Sequence, residues 1–262
     1  MTDDALKGQV KGILKNLFGL EAEELPERLN RRTPDFRVTS RFGDLTFLEL
    51  KAKGDDLEQT AKEREGLNQG GVVSRSVPLT RRNTLSGIIE DGVEQLRDYP
   101  IPADAFSVLW CHSWGRDAEL LMDRFRATLF GTTNIIDMGP TKDTRFAFYF
   151  GFNDFYRFRD TLDGALLSTE VECQLCINSL SPRAELFRKS GFVQAFARGL
   201  CDPSVLEKRE EAYLVDGDVD RRNEHEVLNY LRTKYDRDRL LNIDLTYHSA
   251  AIAAPESGHE LG

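Results

Sequence analysis

The sequence predicts an α/β fold, a mixed central sheet flanked by helices, with an α/β elaboration toward the C-terminus. Three observations point there. Segments with apolar residues at helical spacing alternate with short β-branched and aromatic runs along the whole chain. Two of those runs are joined by a hairpin signal around Gly43. The chain has 262 residues, 40% of them hydrophobic and 30% charged, enough to bury a sizeable core.

Taken in order, residues 4–18 read as a helix. Leu6, Val10, Ile13, Leu14, Leu17 and Phe18 recur at helical spacing, and Gly19 supplies a stop. An acidic stretch, Glu21-Ala22-Glu23-Glu24, precedes a strand pair at 36–39 and 45–51. Residues 54–83 are polar and glycine-bearing, and read as a mobile crossover loop with a short helix near 56–65. A helix at 84–98 puts Leu85, Ile88, Ile89, Gly92, Val93 and Leu96 on one face, ahead of a buried strand at 106–111. The second half reads as a helix at 117–130, strands at 134–138 and 145–152, and a helix at 153–167. A strand at 171–179, helices at 183–199, 203–211 and 223–235, and a last strand at 240–248 complete it. The tail from Ser249 to Gly262 is small and polar, and is expected to be disordered. The corresponding division is a core over 1–115, an elaboration packed on it over 116–250, and a tail over 251–262.

Composition excludes several function classes. No apolar run approaches the roughly 18 residues of a membrane span. The acidic start, Met1-Thr2-Asp3-Asp4, lacks the order of a signal peptide, so a cytoplasmic protein is expected. A net charge of -9 opposes non-specific nucleic-acid binding. Locally the balance reverses, because Arg28, Arg31, Arg32, Arg37, Arg41, Lys51 and Lys53 cluster in one stretch, followed by Arg75, Arg81 and Arg82. There is no glycine-rich phosphate loop, and no serine or cysteine sits in a nucleophile elbow or beside an assigned base.

Chemistry concentrates at Glu49-Leu50-Lys51. Alternate strand residues face the same way, so Glu49 and Lys51 share a face while Leu48 and Leu50 enter an apolar layer. With Phe42-Gly43-Asp44 as a three-residue hairpin loop, Arg41 pairs with Leu45 and Asp35 pairs with Lys51. Asp35 then lies on the charged face, diagonal to Glu49 and about 7–8 Å from it at the backbone. Two carboxylates at that spacing suit one hard cation such as magnesium. Such an ion activates water and neutralises phosphate charge, and a lysine beside it can stabilise the transition state. The plain alternative is a surface hairpin with a salt bridge.

Pro34-Asp35, a hairpin-length gap, then Glu49-Leu50-Lys51 resembles the signature of the PD-(D/E)XK nuclease superfamily, with its restriction-endonuclease-like fold. The order of helix, strands, catalytic hairpin, helix and strand over roughly residues 4–112 is similar too. The resemblance implies Asp35, Glu49 and the Leu50 carbonyl as ligands of Mg2+ or Mn2+. It implies Lys51 as the residue assisting the attacking water and Gln95 as an auxiliary contact. Some members add a glutamate from the first helix, and here that helix has none. Glu21, Glu23, Glu24 and Glu27 lie just beyond it.

The expected activity is therefore phosphodiester hydrolysis, in DNA before RNA, with no membrane partner and with a homodimer left open. Substrate is expected along Arg31, Arg32, Arg37, Lys53, Arg81 and Arg82. The competing class is a nuclease-like module that binds nucleic acid or a protein partner without cutting. Cys173 and Cys176 fall in a strand pattern that turns their thiols to opposite faces, which reads as ordinary burial rather than a metal site. The aromatic stretch from Phe146 to Phe158 likewise reads as core before base stacking.

Overall fold

The computed structural model describes residues 3–26, 32–139, 142–196, 198–244 and 246–252. The first part of the chain runs α1 (Asp3–Phe18), β1 (Glu21–Glu24), β2 (Phe36–Thr39), β3 (Leu45–Lys53), α2 (Leu57–Asn68), β4 (Val72–Pro78), α3 (Asn83–Asp98) and β5 (Phe106–Ser113). It continues through α4 (Ala118–Phe130), β6 (Thr133–Asp137), β7 (Thr144–Phe148), α5 (Asp154–Arg157), β8 (Gly164–Ser168), β9 (Cys173–Ile177), α6 (Ala184–Lys189) and α7 (Gly191–Ala195). The last elements are β10 (Leu200–Cys201), α8 (Pro203–Lys208), β11 (Ala212–Leu214), α9 (Glu224–Tyr235), β12 (Leu240–Ile243) and β13 (Thr246–Ile252).

The organising element is a seven-stranded sheet in the order β1-β2-β3-β5-β8-β9-β10. Its centre, β3, β5 and β8, is parallel, and β1, β2 and β9 join antiparallel. Central strands are covered on both faces, which is why β5 is buried at every position. On one side, Leu6, Val10 and Leu14 of α1 pack with Phe36, Val38, Leu48, Leu50 and Trp110. On the other, Ile89 and Val93 of α3 and Phe125 and Leu129 of α4 pack with Phe47, Leu109 and Cys111. A second sheet, β11-β7-β6-β12, extends that layer, and among the described residues β4 pairs only with β13. Among the described residues no helix is long and apolar enough to cross a membrane.

The expected boundary at 115 falls just after β5, yet the large sheet continues across it through β8, β9 and β10. The helix α3 is the crossover between parallel β3 and β5, so it runs back along them. Its N-terminus therefore lies at the carboxyl ends of those strands, where ligands bind in open α/β sheets.

Several sequence expectations are corrected. The hairpin loop spans five residues, Ser40 to Asp44, not three. Ser40 Oγ donates to Asp44 Oδ1, and Gly43 takes φ +85° to close the turn. The register becomes Thr39 to Leu45 and Phe36 to Leu48, two residues from the predicted one, and an even shift preserves the faces. The helix expected over 153–167 stops at Arg157, and Gly164–Ser168 is a fully buried strand. A continuous apolar run in a parallel sheet has no period that separates it from a buried helix. The helix expected over 183–199 breaks at Ser190, whose extended backbone ends α6 and whose hydroxyl caps α7.

The supposed crossover loop contains β4, and part of the supposed disordered tail, Ser249–Ile252, is its partner strand; residues 253–262 lie outside the description. The last predicted strand is really two, β12 and β13. The short strands β1, β10 and β11 were not foreseen. They carry few side chains, and pairing across long separations defines them.

Because β13 is the only strand beside β4 among the described residues, removing residues 245–262 should expose the β4 amides to solvent. Hydrogen exchange should then show lost protection over 72–78 with protection of β5 and β8 intact. Unchanged β4 protection would mean that its pairing with β13 contributes nothing.

Candidate active site

Asp35, Glu49 and Lys51 come together between the β2–β3 hairpin and α3. Continuing the observed register sets Asp35 across from Glu49 rather than across from Lys51. Asp35 Oδ2 accepts from the Leu50 backbone N–H at 2.8 Å, and its Oδ1 meets Lys7 Nζ of α1 at 2.7 Å. The Leu50 carbonyl leaves the strand on the same side as its amide, so it also faces Asp35.

Glu49 is the unusual member. It is only 2% exposed, and its Oε2 is buried with no hydrogen-bond partner among the described residues. Its Oε1 lies 3.1 Å from Lys51 Nζ. Burial, reinforced by the charge of Asp35, pushes its carboxyl up to about 8 despite the opposing pull of Lys51. Near neutral pH Glu49 thus holds a proton unless another cation takes its place.

Lys51 is half-buried and bridges Glu49 to Asp91 of α3, whose Oδ2 lies 2.6 Å from Nζ. Burial alone would lower the lysine pKa, but Asp91 and Glu49 together raise it above the ordinary value. The bond from Lys51 in turn holds Asp91 below the usual carboxylate range, helped by Arg32 and Gln95. Gln95, expected as an auxiliary contact, thus reaches the site through Asp91.

The helix can lie this close because of Gly92. A Cβ there would stand 2.5 Å from Leu109 Cδ1, 3.2 Å from Lys51 Cε and 3.4 Å from Glu49 Cγ. Two contributors escaped the sequence reading, Lys7 and Asp91. Asp91 had a signal, since it stands one turn before Gln95 on the helix face that meets the strand. Lys7 had none, because its reach to Asp35 depends on tertiary packing.

The fourth acidic position, left open by the sequence, is not filled by Glu21, Glu23 or Glu24. Glu23 pairs with Arg37, Glu24 pairs with Lys11, Glu21 is exposed at the start of β1, and Glu27 lies outside the description. No group of three His, Cys, Asp or Glu stands ready for a metal among the described residues. The donor set is instead two carboxylates, one of them orphaned, with a backbone carbonyl. That fits a magnesium-like ion, which keeps several waters and takes few protein ligands.

The expected basic surface divides. Arg32 binds Asp91 and Glu94, while Arg37 binds Glu23. Arg81 is anchored to buried Asp154 and to Ser86. Lys53 and Arg82 line a cavity of about 750 Å3 at the N-terminus of α3. Arg31 lies outside the described residues. Cys173 and Cys176 do sit on β9 and belong to opposite apolar layers, and Cys176 faces Cys201 across the β9–β10 pair.

No protein-family model, no curated protein and no solved structure matches the chain. The site is therefore classed by its chemistry, as a buried carboxylate beside a second, half-buried one and a lysine, beneath a helix crossing a mixed α/β sheet.

A carboxyl raised in the folded state binds more protons there than in the unfolded chain, so its burden on stability grows as pH rises from about 4.5 toward 8. Glu49→Gln should change Tm little at pH 5 and raise it by roughly 5–10 °C at pH 8.5, the equivalent of a few kcal/mol. A variant less stable than wild type at pH 8.5 would mark Glu49 as a structural ion-pair partner of Lys51.

Proposed function

We propose that the protein is a metal-dependent nuclease of the restriction-endonuclease-like class, hydrolysing phosphodiester bonds with Mg2+ or Mn2+, in DNA before RNA. The observation that carries this reading is the Glu49 carboxylate. It is buried, carries an oxygen with no partner, and stands beside a second carboxylate and a lysine. Burying such a group costs free energy that its ion pair with Lys51 only partly offsets, which is the pattern of sites shaped by chemistry rather than by folding.

In this reading Asp35, Glu49 and the Leu50 carbonyl hold the ion. Bound there, it would make a water nucleophilic and neutralise charge on the phosphate. Lys51 would orient that water or donate to the developing oxyanion, from a position fixed by Glu49 and Asp91. Asp91 and Gln95 act on Lys51 as positioning residues. The element order of helix, strands, hairpin, crossover helix and parallel strand supports the same class.

A second reading has its own observation. Lys7 Nζ sits 2.7 Å from Asp35 Oδ1 and supplies positive charge that an ion would otherwise supply. That favours a nuclease-like module that binds nucleic acid without cutting it.

One assay separates the two. Purified protein incubated with single- and double-stranded DNA should cleave only with Mg2+ or Mn2+ present. Asp35→Asn and Lys51→Ala should each lower the rate by about 100-fold or more. DNA binding without cleavage under any metal, together with unchanged binding by Lys51→Ala, would establish the non-cleaving module instead.

A further inference from the structure

The cavity at the N-terminus of α3 has a charge balance that its own residues leave unsettled. Five cationic side chains line it, including Lys53, Arg75, Arg82 and Arg124, against three carboxylates. Each carboxylate already has a partner. Asp55 accepts the backbone N–H groups of Arg116 and Asp117, Asp56 caps α2, and Asp117 binds Arg75. Among the described residues neither Arg82 nor Arg124 has a hydrogen-bonded or ion-paired side-chain partner, and Arg124 Nε is buried and unsatisfied. Burial and the neighbouring charges of Arg82 and Arg75 lower the pKa of Arg124, against a smaller opposing pull from Asp117. Like charges that outnumber the carboxylates beside them are a cost that a bound anion would reduce.

The backbone adds to this field. The helix α3 has 16 residues and opens into the cavity with no side-chain cap at Arg82, so its first N–H groups and positive dipole end face the same space. Lys53 lies on the same face of β3 as Lys51, two residues further on, which sets the cavity about 7 Å along the strand from Lys51 and about 13 Å from Glu49.

We propose that this cavity is a phosphomonoester-binding subsite, which holds the terminal phosphate of a nucleic-acid strand while the carboxylate site acts on a nearby phosphodiester. A terminal phosphate carries close to two negative charges at neutral pH, whereas an internal diester carries one. Two unpartnered guanidinium groups at an uncapped helix start match the dianion. The strand-end assignment rests on the nuclease reading, but the phosphate site does not.

The first measurement uses no metal and no cleavage. Inorganic phosphate and nucleoside 5′- and 3′-monophosphates are titrated into the full-length protein by calorimetry. Saturable binding is expected, strengthening as pH rises through about 6, where the second proton leaves the phosphate. Arg82→Gln and Arg124→Gln should each weaken it by about tenfold or more, with circular dichroism unchanged. Arg82 carries the test if Arg124→Gln fails to fold. Absence of binding, or binding indifferent to Arg82, overturns the subsite.

The second measurement compares cleavage of oligonucleotides bearing 5′-phosphate, 3′-phosphate or hydroxyl ends. A preference of about tenfold for one phosphorylated end, lost in Arg82→Gln, is expected. Cleavage blind to the end group overturns the strand-end assignment and leaves the nuclease reading standing. Phosphate binding without any cleavage defeats the nuclease reading and sustains the phosphate site.

Discussion

A carboxylate placed under a helix is the constraint from which the rest of this site follows. Glu49 stands in the central layer of an α/β sheet, where an isolated charge is strongly disfavoured. Gly92 lets α3 close over it, and Asp35 adds a second negative group instead of relief. Lys51 answers part of that charge, and Asp91 holds Lys51 in place. Each partner is itself held, Asp35 by Lys7 and the Leu50 amide, and Asp91 by Arg32 and Gln95. The network joins five side chains, Lys7 of α1, Asp35 at the β2 entry, Glu49 and Lys51 of β3 and Asp91 of α3, yet leaves one oxygen of Glu49 unanswered. A proton can fill that role, and on the proposed reading a divalent cation would compete with it.

Topology explains why the cavity is next door. The crossover from β3 through α3 to β5 brings the start of α3 to the carboxyl ends of two parallel strands. The chain reversals there are tightly set. Gly115, at φ +100°, lies against the Asp55 carboxylate, which in turn accepts the N–H groups opening α4. The cavity wall also draws on β4, whose Arg75 is tied to Asp117 and to Glu63. The far C-terminal strand β13 supports that wall by pairing with β4.

The parts legible in the sequence were those governed by local periodicity. The helix over 84–98, the hairpin and the shared face of Asp35, Glu49 and Lys51 follow from periods of 3.6 and 2, and the face survived a two-residue change of register. Non-local pairing was hidden. The strand β4 reads as loop because its inward residues include Arg75, and its partner lies more than 160 residues away. Gly164–Ser168 reads as helix because burial on both faces erases alternation. At the site, Asp91 could be found from helical spacing, whereas Lys7 and the partnerless state of Arg82 and Arg124 depend on which side chains the fold brings near.

The central claim is that a divalent cation replaces the proton held by Glu49. Calorimetric titration of Mn2+ at pH 7, in two buffers of different ionisation enthalpy, measures the protons released per ion bound. The account predicts release approaching one proton per ion, falling as pH rises past about 8, with both binding and release abolished in Glu49→Gln. No Mn2+ binding, or binding without proton release that persists in Glu49→Gln, would contradict it.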